Sequence, residues 1–154
     1  MGMGTLSRGE VFERYGVELT RFATSLVGPS EAQDTVSDAM VRAMWSRGWD
    51  RVDNKRAYLY RAVTSQAKMH HRATSRRRTR ESEAARMVVG SISAPDIDLW
   101  DALERLNVPQ RAVIFLVYWE DLTEVEVAQR LGISERTVRR RLAHARQTLG
   151  EVLS

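Results

Sequence analysis

Cysteine is absent from this chain of 154 residues, which excludes disulfides and thiol chemistry. The three histidines, His70, His71 and His144, therefore lack the Cys partners of a structural zinc site, and no metal or cofactor is expected. No run approaches the roughly 18 apolar residues that a membrane-spanning helix requires. The opening MGMGTLSRGE has no apolar core of the kind a signal peptide carries. The chain is accordingly read as soluble and cytoplasmic, with no membrane insertion. Also missing are a glycine-rich phosphate loop, a His/Cys/Asp cluster at metal spacing and a Ser/His/acid arrangement on a strand-to-helix elbow. An enzyme is not expected. Strand alternation and internal repeats are lacking as well, so the fold class is read as all-α.

What the chain does have is segregated charge. The net value of +4 conceals an N-terminal stretch, residues 1–54, with six arginines against eight acids. Residues 68–80 then hold Lys68, Arg72, Arg76, Arg77, Arg78 and Arg80 with no acid, residues 81–126 turn acidic, and residues 136–146 turn basic again. Two basic clusters flanking an acidic stretch suggest two contact points on one extended polyanion.

Helical periodicity organises most of the sequence. Val11, Tyr15, Leu19, Phe22 and Leu26 recur at steps of three and four and predict one amphipathic helix. Gly28 predicts its end, and Ser30 with Gln33 predicts a capping box for a second helix from Glu31 to about Arg47. The loop GWDRVDN follows, with Asp53 or Asn54 placed to cap a helix starting near Lys55 and running into the basic cluster. Residues 81–95, which mix Gly, Ser, Ala and Pro with weak periodicity, read as a linker that has room for one helical turn. The chain thus divides into a helical domain at 1–80, a linker at 81–95 and a second helical domain at 96–154.

The second domain carries the sharper pattern. Leu99, Ala102, Leu103 and Leu106 form a stripe ending near Pro109, and Val113, Ile114, Leu116 and Val117 form a short helix up to WEDLT. Thr123 and Glu126 predict a capping box, Val127, Ala128 and Leu131 an inward face, Gly132 a turn with positive φ, and Ser134 the cap of a last helix. Val138, Leu142, Ala145 and Leu149 face inward along it, which makes a helix-turn-helix. Arg136, Arg139, Arg140 and Arg141 fall largely off that stripe. Over residues 135–147 there are five arginines and one acid, a pattern that suits DNA better than a merely solvated face. An arginine can read a guanine edge or neutralise a phosphate, and the sequence does not assign the four between these roles.

The string LERLNVPQRAVIFLVYWEDLTEVEVAQRLGISERTVRRRLAHARQTL resembles the promoter-binding region 4 of bacterial sigma factors, especially the extracytoplasmic-function (ECF) group. VFERYGVELTRFATSLVGPSEAQDTVSDAMVRAMW is similar to region 2 of the same group, through Tyr15, Ala32, Asp34, Val36 and Asp38. RAYLYRAVTSQAKMHHRATSRRR is similar to the helix that this family places against the melted promoter strand. Together the likeness covers about residues 10–150. Departures fall at Ser65, Gln66, Lys68 and Met69 of that strand helix and at Arg136 and Arg140 of the last helix, so promoter preference does not carry over from the family.

The resemblance implies core RNA polymerase and promoter DNA as partners of a monomer, and an anti-sigma factor that clamps both domains. It implies polymerase contacts from Asp34, Ser37, Asp38, Val41 and Arg42. For the proximal element and melting it implies Trp49, Asp50, Arg51 and Asn54 in the loop and Tyr58, Arg61, Ser65, Lys68 and Arg72 on the strand helix. Trp49 and Tyr58 could instead be core residues. Arg72 and Arg76 to Arg78 would meet phosphates or the polymerase's acidic channel. For the distal element it implies Arg111, Thr123, Ser134, Glu135, Arg136, Thr137, Arg139, Arg140, Arg141 and His144. Two rival readings are a dimeric helix-turn-helix regulator on palindromic half-sites, with an N-terminal dimerisation or sensing domain, and an adaptor that binds only proteins.

Overall fold

The computed structural model describes the backbone of residues 6–89 and 102–153 and the side chains of residues 6–73 and 102–150. Every regular element in it is helical: α1 (Arg8–Val27), α2 (Pro29–Met44), a 3-10 turn (Trp49–Arg51), α3 (Lys55–Val89), α4 (Val108–Tyr118), α5 (Glu124–Leu131) and α6 (Glu135–Leu153). A further helical turn lies at 102–104. Leu99, residues 90–95 and the side chains of Arg76 to Arg80 lie outside the described residues.

Local chemistry sets most boundaries. Ser7 Oγ accepts the Glu10 amide at 3.2 Å and starts α1, whose Val11, Leu19, Phe22 and Leu26 are buried as the periodicity requires. The expected Ser30–Gln33 capping box does not form. Gly28, at φ 89°, turns the chain sharply and Pro29 opens α2 at its first position, so Ser30 already lies inside the helix and cannot cap it. α2 also stops at Met44 rather than near Arg47, where the Ser46 hydroxyl donates to the Ala43 carbonyl at 2.7 Å and offers the backbone an alternative to another turn. Of the two candidate caps for α3, Asn54 serves: its Oδ1 accepts the Ala57 amide at 3.1 Å. α3 then runs to Val89, into the segment read as linker, because no Gly or Pro interrupts it and Ala84, Ala85, Arg86 and Met87 are strong helix formers.

Asn107 and Gln110 cap α4 reciprocally at 2.9 and 3.0 Å, and Pro109 sits in its first turn, where a missing amide hydrogen costs nothing. Thr123 and Glu126 form the expected box, each bond 3.1 Å. The Thr123 amide and hydroxyl together hold the Glu126 carboxyl below the ordinary carboxylate range. Gly132 takes the left-handed conformation, φ 65° and ψ 38°, and Ser134 Oγ accepts the Thr137 amide at 3.1 Å to start α6.

The two halves pack against each other, α1 on α4 and α3 on α5, and share one buried cluster. Phe22 lies between Tyr60, 4.6 Å between centroids, and Phe115, 6.1 Å. Tyr60 is buried at this seam, where its hydroxyl donates to Glu18 at 3.4 Å and Arg130 lies 5.5 Å over its ring. Burial, then the Glu18 carboxylate, pushes its pKa up to about 12 from an ordinary value near 10. Since the folded value is the higher one, the contribution to stability is complete below pH 10 and is lost as pH rises through 12. At about 1.4 kcal/mol per unit it amounts to roughly 2–3 kcal/mol. Alkaline denaturation series of the parent and Tyr60→Phe should differ in slope across this window and run parallel below it.

Candidate nucleic-acid interface

The helix after the Gly132 turn presents Glu135, Arg136, Arg139, Arg140 and His144 to solvent, with Arg141 half-buried. Their electrostatic circumstances differ. Arg139 Nη1 lies 3.7 Å from Glu135 and 4.0 Å from Glu124, so its charge is shared between two carboxylates. Arg141 is held below the usual guanidinium pKa by burial and then by Arg140, yet stays charged at neutral pH. Arg146 donates to the Tyr118 hydroxyl at 2.8 Å and packs on its ring. Among the described residues Arg136 and Arg140 make no ion pair, and both point outward. The hydroxyls of Ser134 and Thr137 bond to each other at 2.9 Å, and that of Thr123 accepts the Glu126 amide, so all three also serve as end fittings of helices.

Arg111 departs from the expected role in DNA contact. It is 3% exposed and its guanidinium is occupied by main-chain carbonyls: Nε donates to Leu103 (2.8 Å) and Leu106 (3.1 Å), Nη2 to Glu104 (3.1 Å) and Nη1 to Leu26 (2.7 Å). A buried cation surrounded by acceptors fastens α4 to the end of α1 and has no path to a phosphate.

On α2, Asp34, Asp38, Val41 and Arg42 are exposed and Ser37 half-buried, all on one face. The same face continues to Trp45, 63% exposed, with the Arg8 guanidinium 4.1 Å over its ring. Sequence reasoning missed Trp45, although its step of four from Val41 was a usable signal.

The loop and α3 divide. Asp50, Arg51 and Asn54 are exposed, as are Arg61, Ser65, Lys68 and Arg72 on α3. Arg42, Tyr58, Arg61, Ser65, Gln66 and Met69 line a cleft of about 360 Å³ between α2 and α3. Of the two readings of Trp49, contact with the melted strand and a place in the core, its position in the structure fits the second. It is 4% exposed, edge-on to Tyr58 at 5.8 Å and covered by Lys55 at 5.1 Å, because the 3-10 turn directs its ring inward. Tyr58, half-buried and bonded to Ser46 at 3.1 Å, braces the same corner. Trp49→Phe should therefore cost about 1–2 kcal/mol of stability and leave promoter opening, followed by permanganate reactivity of unpaired thymines, within about two-fold of the parent. A base-stacking role would make opening fail first.

Comparison with known proteins decides what these surfaces belong to. The family described as Sigma-70 region 2 matches residues 11–77, and that described as Sigma-70, region 4 matches residues 96–149. The chain belongs to the sigma-70 family. It is 33% identical to the RNA polymerase sigma-E factor of Streptomyces avermitilis, across 96% of this chain and 89% of that one. It is 30% identical to the ECF RNA polymerase sigma factor SigM of Mycobacterium tuberculosis, across 94% and 76%. A solved complex of the sigma factor RpoE with the anti-sigma factor NepR, from Bartonella quintana, contains a chain of the same fold: TM-score 0.59, 23% identity, 94% of this chain and 95% of that chain covered. This ECF sigma factor accordingly directs RNA polymerase to promoters, and its helix-turn-helix and α2–α3 surfaces fall within the two matched regions. No helix among the described residues is long and apolar enough to cross a membrane.

Proposed function

We propose that this sigma factor divides its work among three surfaces, with residues 1–80 as the polymerase-binding and melting unit and residues 96–154 as the distal-element unit. The α2 face of Asp34, Ser37, Asp38, Val41 and Arg42, extended by Trp45, docks on core RNA polymerase. Asp50, Arg51 and Asn54, with Arg61, Ser65, Lys68 and Arg72, hold the melted proximal strand beside the cleft between α2 and α3, while Trp49 and Tyr58 keep the loop in shape. The first turns of α6 enter the major groove of the distal element. What carries this last assignment is the contrast between outward Arg136 and Arg140, unpaired among the described residues, and Arg139, bound by two carboxylates. Polymerisation belongs to the partner enzyme, so this chain directs initiation in the cytoplasm without catalysing it. It acts as a monomer on two unlike elements.

An anti-sigma factor is the expected negative partner. Phe12 and Val17, 46% and 71% exposed beside the groove between α1 and α2, offer an apolar helix a place to lie next to the polymerase-binding face. Reconstitution with core RNA polymerase on a promoter library tests the assignment. Transcripts should start from a shared pair of elements, and starts should disappear selectively when Asp38 and Val41 are replaced by Arg. Starts no more frequent than with core enzyme alone would sink it.

A further inference from the structure

Peroxide has few targets in this chain. Cysteine is absent, so methionine is the side chain whose oxidation by peroxide can be reversed, and six methionines are present. The structure describes the side chains of three of them. Met40 and Met44 belong to the core, 0% and 5% exposed, whereas Met69 of α3 is 47% exposed and lines the cleft between α2 and α3. Its sulfur is also held. Arg42 Nη1 of α2 donates to Met69 Sδ at 3.7 Å, a weak bond because a thioether is a poor acceptor. The cleft around this pair contains a second guanidinium, that of Arg61, beside Tyr58, Ser65 and Gln66, and among the described residues no carboxylate lines it. An oxygen added to the sulfur would meet two cations and no competing anion.

We infer that Met69 is a peroxide-sensitive modification site, at which sulfoxidation draws the Arg42 guanidinium into the α2–α3 cleft and away from core RNA polymerase. In the step itself a sulfur lone pair attacks one oxygen of hydrogen peroxide, and the S–O bond forms as the O–O bond breaks. The departing hydroxide takes the proton of the transferred oxygen and leaves as water, so sulfur loses two electrons and peroxide gains them. Reversal needs an external dithiol, delivered by a methionine sulfoxide reductase, because this chain has no thiol of its own. The sulfoxide replaces a weak acceptor beside Arg42 by a strong one, and a hydrogen bond with a charged donor gains most from that change. Arg42 is the residue that the cleft shares with the α2 docking face, so its guanidinium serves one or the other. Met40 and Met44, enclosed in the core, are spared. The inference rests on the assignment of Arg42 to the polymerase-binding face.

The test treats the full chain with limiting hydrogen peroxide, removes the oxidant with catalase, and then measures affinity for untreated core RNA polymerase. Peptide mass spectrometry should show Met69 oxidised at least about ten times faster than Met40 or Met44. The oxidised protein should bind polymerase about five-fold more weakly, the effect of one hydrogen bond, and methionine sulfoxide reductases of both stereospecificities should restore it. Met69→Leu keeps every other methionine and should lose the response, each form being compared with its own untreated state. Unchanged affinity of the oxidised parent, an equal response from Met69→Leu, or a Met69 no faster than the buried pair would overturn the inference. Arg42→Ala separates it from the assignment beneath it. A variant that binds more weakly before treatment, and no more weakly after, supports both. One that binds like the parent before treatment overturns the assignment of Arg42 to the polymerase and the inference with it. One that starts weaker and loses a further five-fold on oxidation leaves that assignment standing and overturns the inference alone.

Discussion

Arg111→Met is expected to lower stability by about 3–5 kcal/mol, because it keeps the aliphatic stem and removes only the buried cation. Four carbonyls, those of Leu26, Leu103, Glu104 and Leu106, accept from this one guanidinium. The Leu103 carbonyl keeps the Leu106 amide at 3.0 Å, whereas Leu26 lies in the last turn of α1, where main-chain donors run short. A charged hydrogen bond contributes roughly 1.5–3 kcal/mol, and an abandoned buried acceptor costs a further 1–3, so losing four partners at once exceeds any surface change. Lysine should restore only part of the loss, since a single ammonium cannot reach the carbonyls that a planar fork reaches on three sides. Urea unfolding followed by circular dichroism measures the change. The loss should come with a splitting of the transition, as the helix-turn-helix half separates from α1 and unfolds on its own. A midpoint equal to the parent's would mean that the carbonyls find other donors.

That arginine also marks where sequence reading stops. Stripes such as Val138, Leu142 and Ala145, the Thr123–Glu126 box and the Gly132 turn are legible because each is decided within a few residues, by helical geometry or by one backbone conformation. Arg111 has no such local signature. An arginine two residues after a proline is expected at the surface, and only the meeting of α1 with α4 places it among carbonyls. The same holds for Trp49, whose inward orientation depends on Tyr58 and Lys55 arriving from α3. The seam was illegible for a related reason: its contacts join residues 18–26, 60–61 and 103–132, and no periodicity within either half encodes them. The α2 face was legible as far as Arg42 and could have been extended to Trp45 by the same helical step. At Gly28, by contrast, a locally plausible capping box lost to a better local solution, a positive φ followed by proline.

The arginines of α6 divide into those the protein already uses and those it leaves free, and this division predicts unequal losses. Arg136→Ala with Arg140→Ala should reduce promoter-directed initiation about 30-fold or more, since each guanidinium on a base edge is worth roughly 1–3 kcal/mol and neither gives up a protein partner to reach DNA. Arg139→Ala should cost less. Its guanidinium must leave Glu124 and Glu135 before it can meet a phosphate, so part of its attraction is already balanced in the free protein. Measuring each variant over a range of salt separates the roles that composition alone left joined. Loss of a phosphate contact lowers the slope of log affinity against log salt by about 0.9 and weakens all sequences alike. Loss of a base contact leaves the slope and relaxes preference at one position. If Arg139→Ala proves as damaging as the double variant, the carboxylate pairs give way on binding, and Glu124→Gln should then strengthen the complex, because it lowers the cost of releasing that guanidinium to the DNA.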